Sequence, residues 1–437
     1  MKDNDFIKEL EFDLKPLSGD YKFLSDDDGV DFEHCSGDYP AVFFKEVGSY
    51  NAEQLRSIAD IQRRIWNYSN VVFLYVVSTQ EIRIYNCNET PFNHINIDDD
   101  DIIKEMSKRE IISCKKTDKE KLNDLAKVFS SIAIDSGLIW YNPEYSKKIK
   151  IQTKVDKYLV KSLLSLAKIL KQDIKNEDII HSLLLRSIFL MYLQDKGAIP
   201  IEIWEELDVS SFLEALDNLN VTYRLFDIID KHFNGNVFPV SNQERKYVND
   251  KHLHIIKQCL INGSVDNGQE DMFSDWRLFD FSIIRIELLS EIYENFLNEF
   301  DPIRKKETGT YYTPPALVEL VLDNVLPVKE EINFHLKILD PAMGSGIFLV
   351  QSYKRIVERW KRATNKHIPK FSELKRLMLD SIFGVENDEN AIKIAAFSLY
   401  LALLDNLEPP DVWLKNGEQF PYLINDPKIK EYEKQGQ

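Results

Sequence analysis

The segment T-Y-Y-T-P-P-A-L-V (Thr310–Val318), followed further on by I-L-D-P-A-M-G-S-G-I-F-L (Ile338–Leu349), is the most informative in the chain. An apolar strand, Lys337 to Leu339, runs into Asp340-Pro341 and a turn carrying Gly344 and Gly346. An apolar helix then starts at Ile347. Glycine is needed in such a turn because a Cβ would block the approach of a ligand to the backbone. The N–H groups of the turn and of the new helix present a partial positive charge to that ligand. A glycine pair alone is a weak signal, since any α/β crossover can contain one. A second strand, Ser381 to Val385, ends in Glu386, where a carboxylate can take both hydroxyls of a ribose. The insert between the two strands, with helices expected over Ser352–Arg362 and Phe371–Asp380, exceeds the roughly 20-residue spacing of a simple dinucleotide fold. The preceding Y-T-P-P-A-L-V reads as a turn feeding a helix, with prolines tolerated at its first positions.

D-P-A-M-G-S-G, preceded by Y-T-P-P and followed by G-V-E-N-D-E-N-A, resembles the amino-methylating DNA methyltransferases. The motif order resembles the class in which the methionine-binding motif comes before the glycine-rich one. The resemblance implies S-adenosylmethionine as the ligand. It places Thr313 and Pro314, with Tyr312, around the methionine end. Asp340, Ala342 and Gly344 would line the amino-acid end and sulfonium, with Pro341, Ser345 and Gly346 completing the turn. Glu386 would hold the ribose, and Asn387 or Asp388 would lie near the adenine. Upstream, Leu184–Ile199, Lys231–Pro239 and Leu289–Leu297 resemble the helical region of type IIG-like restriction–modification enzymes. Those chains join an N-terminal nuclease-like domain, a helical connector, an adenine methyltransferase and a target-recognition domain.

The implied fold class is α/β plus α, in three parts. Residues 1–115 form a nuclease-like α/β domain, residues 116–300 a helical connector, and residues 301–437 the S-adenosylmethionine-binding part of a partial Rossmann-like methyltransferase domain. The implied function is site-specific methylation of adenine N6 in double-stranded DNA within a restriction–modification or defence system.

The family's catalytic Asn/Asp-Pro-Pro-Tyr/Phe motif is missing from these 437 residues. In that chemistry the asparagine and a proline carbonyl hydrogen-bond the target amino group, and the aromatic ring stacks on the flipped base. Asn142-Pro143-Glu144-Tyr145 is the nearest look-alike, lacks the second proline, and reads as a turn approaching a helix. No catalytic residue is therefore assigned. The chain is expected to bind cofactor and to need further sequence or a second chain, with the catalytic and target-recognition half, to methylate. The alternatives are a noncatalytic S-adenosylmethionine- and DNA-binding assembly subunit, or a nuclease acting through the first region. A nicotinamide oxidoreductase is disfavoured because the turn is not G-x-G-x-x-G.

Composition sets the outer bounds. At 437 residues, 44% hydrophobic and 29% charged, the chain suits a globular protein of two or three domains. It holds no apolar run of the roughly 20 residues needed to cross a bilayer and no signal-type apolar core at its N-terminus, so no membrane association is expected. Cys35, Cys87, Cys114 and Cys259 are spaced for neither pairing nor metal ligation, which suits a reducing cytoplasm. No metal site is read.

A net charge of −17 disfavours nonspecific coating of nucleic acid. Against that background, Lys147 to Lys175 holds nine lysines and two aspartates. Lys154, Lys157, Lys161, Lys168, Lys171 and Lys175 fall at helical spacing, opposite an apolar row of Val155, Leu159, Leu163, Leu166, Leu170 and Ile174, and the first four are the candidate DNA contacts. Such a stripe is ordinarily a solvated face. As a phosphate contact it would position DNA without reading sequence.

In the first region strands are expected over Ala41–Val47, Val71–Val77 and Glu81–Tyr85, with a helix over Ala52–Trp66. The acidic run Asp98–Asp101 reads as an exposed boundary. Nuclease chemistry of this type uses two carboxylates to hold Mg²⁺ and a lysine to activate water. The expected strand supplies Phe43-Phe44-Lys45, without the second carboxylate. Asp31, Asp38 and Lys45 are the remaining set, and Asp13-Leu14-Lys15 lies outside the expected core, so the domain is read as degenerate. The connector helices are expected over Lys119–Ile134, Val155–Ile174, Asp178–Asp195 and Ser282–Leu297, and a last helix over Asn390–Leu404.

Overall fold

The computed structural model describes residues 4–26, 29–37, 39–149, 153–233, 240–241, 243–263, 276–284, 288, 292, 313–329, 332–413 and 420–424. Tyr312, Asp38, most of 282–297 and residues 234–239 lie outside them. The chain divides into two compact units, Met1–Lys161 with Ile261–Ile284, and Ser162–Leu260 with Arg285–Gln437. No described helix is long and apolar enough to cross a membrane.

The first unit is built on a six-stranded sheet in sequential order: β1 (Lys15–Pro16), β2 (Phe32–Ser36), β3 (Tyr39–Glu46), β4 (Phe73–Val77), β5 (Glu81–Asn86) and β6 (Glu110–Lys115). Only β3 and β4 pair in parallel, because the chain between them makes a crossover through helix α1, Ala52–Tyr68. Asn51 starts that helix by accepting the Gln54 N–H at 2.9 Å, and Ser69 ends it in the left-handed conformation. Leu55, Ile58, Ile61 and Ile65 of α1 are buried with Phe43, Leu74 and Val76. Phe44, Tyr75, Ile82 and Ile84 face the other way and pack with Phe6, Phe12 and Phe129. Segment 276–284 joins this unit through Asn67, which donates to Leu278 O at 3.0 Å and accepts the Asp280 N–H at 3.0 Å.

Two sequence expectations need correction here. Asp98–Asp101 is exposed as expected, but it starts a helix, α2 (Asp99–Arg109), inside the first unit and marks no boundary. The Asp98 carboxylate caps it by accepting the Asp101 N–H at 2.8 Å, and the other acids occupy the first turn, where the helix dipole favours negative charge. The helix expected over Lys119–Ile134 breaks at Ser130. Helix α3 (Lys119–Phe129) ends there, and the Ser130 hydroxyl caps a short second helix, Ser131–Asp135. The break is held from outside, since Ser131 donates its N–H to Leu10 O and its hydroxyl to Glu11 O.

Helix α4 (Val155–Asp173) carries the chain from the first unit into the second. Its expected apolar row is buried throughout. In the second unit, α5 (Glu177–Asp195), α6 (Leu219–His232) and α7 (Asp250–Asn262) precede the segment that holds the glycine turn. There α8 (Pro315–Val325), β7 (Ile338–Asp340), α9 (Ile347–Thr364), α10 (Phe371–Ser381), β8 (Ile382–Gly384) and α11 (Glu389–Leu404) follow one another. Helices α5 and α11 are apolar on nearly all sides and buried accordingly. They meet at Phe189 and Phe397, whose rings sit 5.1 Å apart, and Tyr192 donates to Asp405 at 2.9 Å. The buried Arg186 of this unit meets the buried Glu244 at 2.7 Å, and Tyr223 donates to the same carboxylate at 3.1 Å.

Candidate functional site: a glycine turn between two parallel strand ends

β7 and β8 pair in parallel with Asp340 opposite Gly384, so the two chains leave the sheet at the same end. The ladder continues past both strands, with Val385 N–H donating to Asp340 O at 3.0 Å and Met343 N–H to Val385 O at 3.1 Å. This carries the glycine turn and the Glu386 turn out side by side. The Asp340 carboxylate accepts the Ala342 N–H at 3.1 Å and fixes the first bend.

The two glycines have different duties. Gly346 sits at φ +86°, and a Cβ there would come within 2.7 Å of the Ala395 Cβ. It is glycine because α9 and α11 approach too closely for anything larger. Gly344, at φ +53°, has nothing within 4 Å of where its Cβ would be. Its missing side chain leaves open space beside the turn, the condition for a ligand lying against the backbone. Gly384 on β8 is a third, which the sequence reading did not single out. The Met343 side chain fills the space its Cβ would take, so Met343 seals the turn onto the sheet.

Glu386 joins the two strand ends. One of its oxygens accepts the Gly344 N–H at 2.9 Å; the other accepts the N–H groups of Asn387 at 2.6 Å and Asp388 at 3.0 Å. Asp388 in turn caps α11, accepting the Asn390 N–H at 2.9 Å. At the head of α9, Gly346 occupies the cap position and no side chain caps the first turn. A strand-end carboxylate, an open glycine and an uncapped helix start form a cradle. Its components fit a ligand with a hydroxyl-bearing ring at one end and an anionic group at the other.

Thr313 and Pro314 enter this unit through α8, where Pro315 takes the first helical position. Val318 and Leu322 are buried. Arg355 of α9 binds the Glu319 carboxylate, the Asp323 carboxylate at 2.7 Å and Leu326 O at 3.2 Å, tying α8 to α9. Sequence reading missed Met343, Arg355 and Ala395 because each acts through partners far along the chain. A cavity of about 740 Å³ lies beside β8, lined among others by Met343, Leu349, Ala395 and Tyr422. It flanks the sheet, and Asp340, Gly344 and Glu386 are not part of its wall.

Of the other sites read from sequence, Lys157, Lys161 and Lys168 are exposed on α4, while Lys154 is half-buried and donates to Ser69 O at 3.4 Å. The Asn142–Tyr145 segment is a turn closed on itself. The Asn142 side chain accepts the Glu144 and Tyr145 N–H groups, and the Tyr145 ring packs on Phe129 at 4.9 Å. Lys45 lies 3.9 Å from Asp31, whose other oxygen accepts the Glu46 N–H at 2.6 Å, and Phe43 is fully buried. Among the described residues no group of three or more His, Cys, Asp or Glu could hold a metal ion.

Residues 285–419 match the family model described as N-6 DNA Methylase. Among relatives, the type I restriction enzyme MjaVII methylase subunit of Methanocaldococcus jannaschii is 24% identical over 55% of this chain and 37% of its own length. The type II restriction enzyme and methyltransferase RM.Eco57I of Escherichia coli is 25% identical over 40% of this chain and 21% of its own. The chain thus spans well under half the length of these relatives. A solved DrdV–DNA complex overlaps 95% of this chain and 36% of its own at 13% identity, with a TM-score of 0.31. An overlap that loose carries no argument about fold.

Proposed function

We propose that the second unit binds S-adenosylmethionine as the cofactor-holding part of a restriction–modification DNA methyltransferase acting on adenine N6. The observation that carries this reading is the Glu386 carboxylate held against the open Gly344 turn at the shared end of two parallel strands. The match of residues 285–419 to N-6 DNA methylases and the names of the relatives support it. Bound in the cradle, S-adenosylmethionine would supply an activated methyl group on a sulfonium. Glu386 would hold the ribose hydroxyls, and Asn387 and Asp388 would border the adenine. The turn from Asp340 to Gly346, with Thr313 and Pro314, would hold the amino-acid end. Orientation of that methyl toward the target amine is the rate advantage such a cradle can give.

These 437 residues hold no Asn-Pro-Pro-aromatic motif of the kind that would grip a flipped adenine. We place it outside them, in further sequence or in a second chain, together with the reading of the DNA site. The exposed lysines of α4 supply phosphate contacts in this scheme, and the first unit serves as a nuclease-like domain without a working metal site.

Calorimetric titration of S-adenosylmethionine into the whole chain, with Asp340→Ala and Glu386→Ala alongside, separates this proposal from a bare scaffold. Saturable binding is expected in the unaltered chain and should weaken at least 10-fold in each variant. A chain that takes up no heat from the cofactor would sink this reading.

A further inference from the structure

We propose that Glu386 is a latch coupling the two ends of the cradle, in which ribose hydroxyls and the Gly344 N–H compete for one carboxylate. The proposal rests on the cofactor reading above and goes further, assigning a working role to the contact between Glu386 and the Gly344 N–H.

The argument is a count of hydrogen-bonding capacity. A carboxylate offers about four lone-pair sites. Among the described residues three donors engage it, the N–H groups of Gly344, Asn387 and Asp388 at 2.9, 2.6 and 3.0 Å. A ribose diol brings two O–H donors, one more than the remaining capacity accepts. One backbone donor must therefore yield. The Asn387 and Asp388 N–H groups belong to the same turn as Glu386, and that turn is anchored where Asp388 caps α11. The Gly344 contact instead crosses 42 residues of sequence, from one strand end to the other. It is made by a glycine at φ +53° with nothing within 4 Å of where its Cβ would be, so that residue can readjust without a side chain in the way. Gly344 is the donor that lets go. Its N–H then becomes available to the anionic end of the same ligand, next to the uncapped start of α9. Filling the ribose subsite thus prepares the amino-acid subsite, and reciprocity requires the converse.

The probes are adenosine, 2′,3′-dideoxyadenosine, L-methionine and S-adenosylmethionine. The readouts are calorimetric affinity and amide hydrogen exchange at Gly344 in the whole chain. The Gly344 amide should be protected in the free protein, exchange faster with adenosine, and stay unchanged with the dideoxy analogue. Adenosine should tighten methionine binding by about 5-fold or more, the lower end of usual couplings between sites. In Glu386→Gln an amide NH₂ replaces one acceptor, so both the protection and the coupling should disappear. Glu386→Asp, which withdraws the carboxylate by one methylene, should act the same way and covers the case of a misfolded glutamine variant. If S-adenosylmethionine binds while adenosine and methionine bind independently and Gly344 exchange does not respond, the latch is wrong and the cofactor reading stands. If neither the cofactor nor its fragments bind, both fall together.

Discussion

At Gly344 and Gly346 the same substitution should have different consequences. Gly346→Ala forces a methyl group to within 2.7 Å of Ala395 at a positive φ, so strain and overpacking add. A stability loss of about 2–4 kcal/mol is expected by chemical denaturation, and Ala395→Gly should recover part of it. Gly344→Ala meets no neighbour and incurs only the conformational cost, about 1 kcal/mol. Its methyl group would project into the cradle, so cofactor affinity should fall while the folded state persists. Equal stability losses in both variants would show that the turn is merely structural. The sequence made the glycine pair visible, but their division of labour depends on Ala395, which lies far along the chain. Glu386 was legible as a strand-end acid, whereas its grip on the Gly344 N–H follows from the register of β7 against β8 and had no local signature.

Elements whose residues answer to one dominant face were readable, and those shaped by distant partners were not. The parallel pair β3 and β4, the crossover α1 and the apolar row of α4 all follow simple periodicity, and the structure has them close to the expected bounds. β2 was missed because Phe32–Ser36 buries Glu33 and His34, two polar residues that local patterning would send to solvent. His34 earns its place through Asp135, 3.2 Å away and a hundred residues downstream. The packing of α8 on α9 is likewise a long-range matter. It joins Val318 and Leu322 to a charge cluster in which Arg355 is almost enclosed; burial lowers the guanidinium's pKa, but Asp323 and Glu319 together outweigh it and hold it above its usual value. Arg355→Met keeps the apolar stem but leaves Glu319 and Asp323 facing each other without a cation and Leu326 O without its donor. A loss of about 2 kcal/mol is expected. Because α8 carries Thr313 and Pro314, cofactor affinity should drop along with stability. If calorimetry shows undiminished affinity in a destabilised Arg355→Met protein, α8 has no part in the cradle.

Across the whole molecule, the second unit shows an imbalance between what is packed and what is left open. α8 buries one apolar face, yet Leu317, Leu320, Val321 and Val325 form a second row that faces solvent, with Val325 at 70% exposure. Leu339 and Phe383 face each other across the paired strands β7 and β8 and are also uncovered, at 61% and 40% exposure. Among the described residues this is a two-stranded sheet with an uncovered apolar face, an aggregation hazard. The net charge of −17 opposes association through mutual repulsion. The two effects respond oppositely to salt, since repulsion between exposed charges is screened within about 10 Å at 0.1 M ionic strength while apolar attraction is not. Sedimentation velocity should therefore show the chain self-associating more strongly as salt is raised. Paired charges at Leu320→Lys and Leu339→Glu should suppress that association without altering the helical signal in circular dichroism. Association that weakens with salt would mean that oppositely charged patches hold the copies together, and the uncovered leucines would then be incidental.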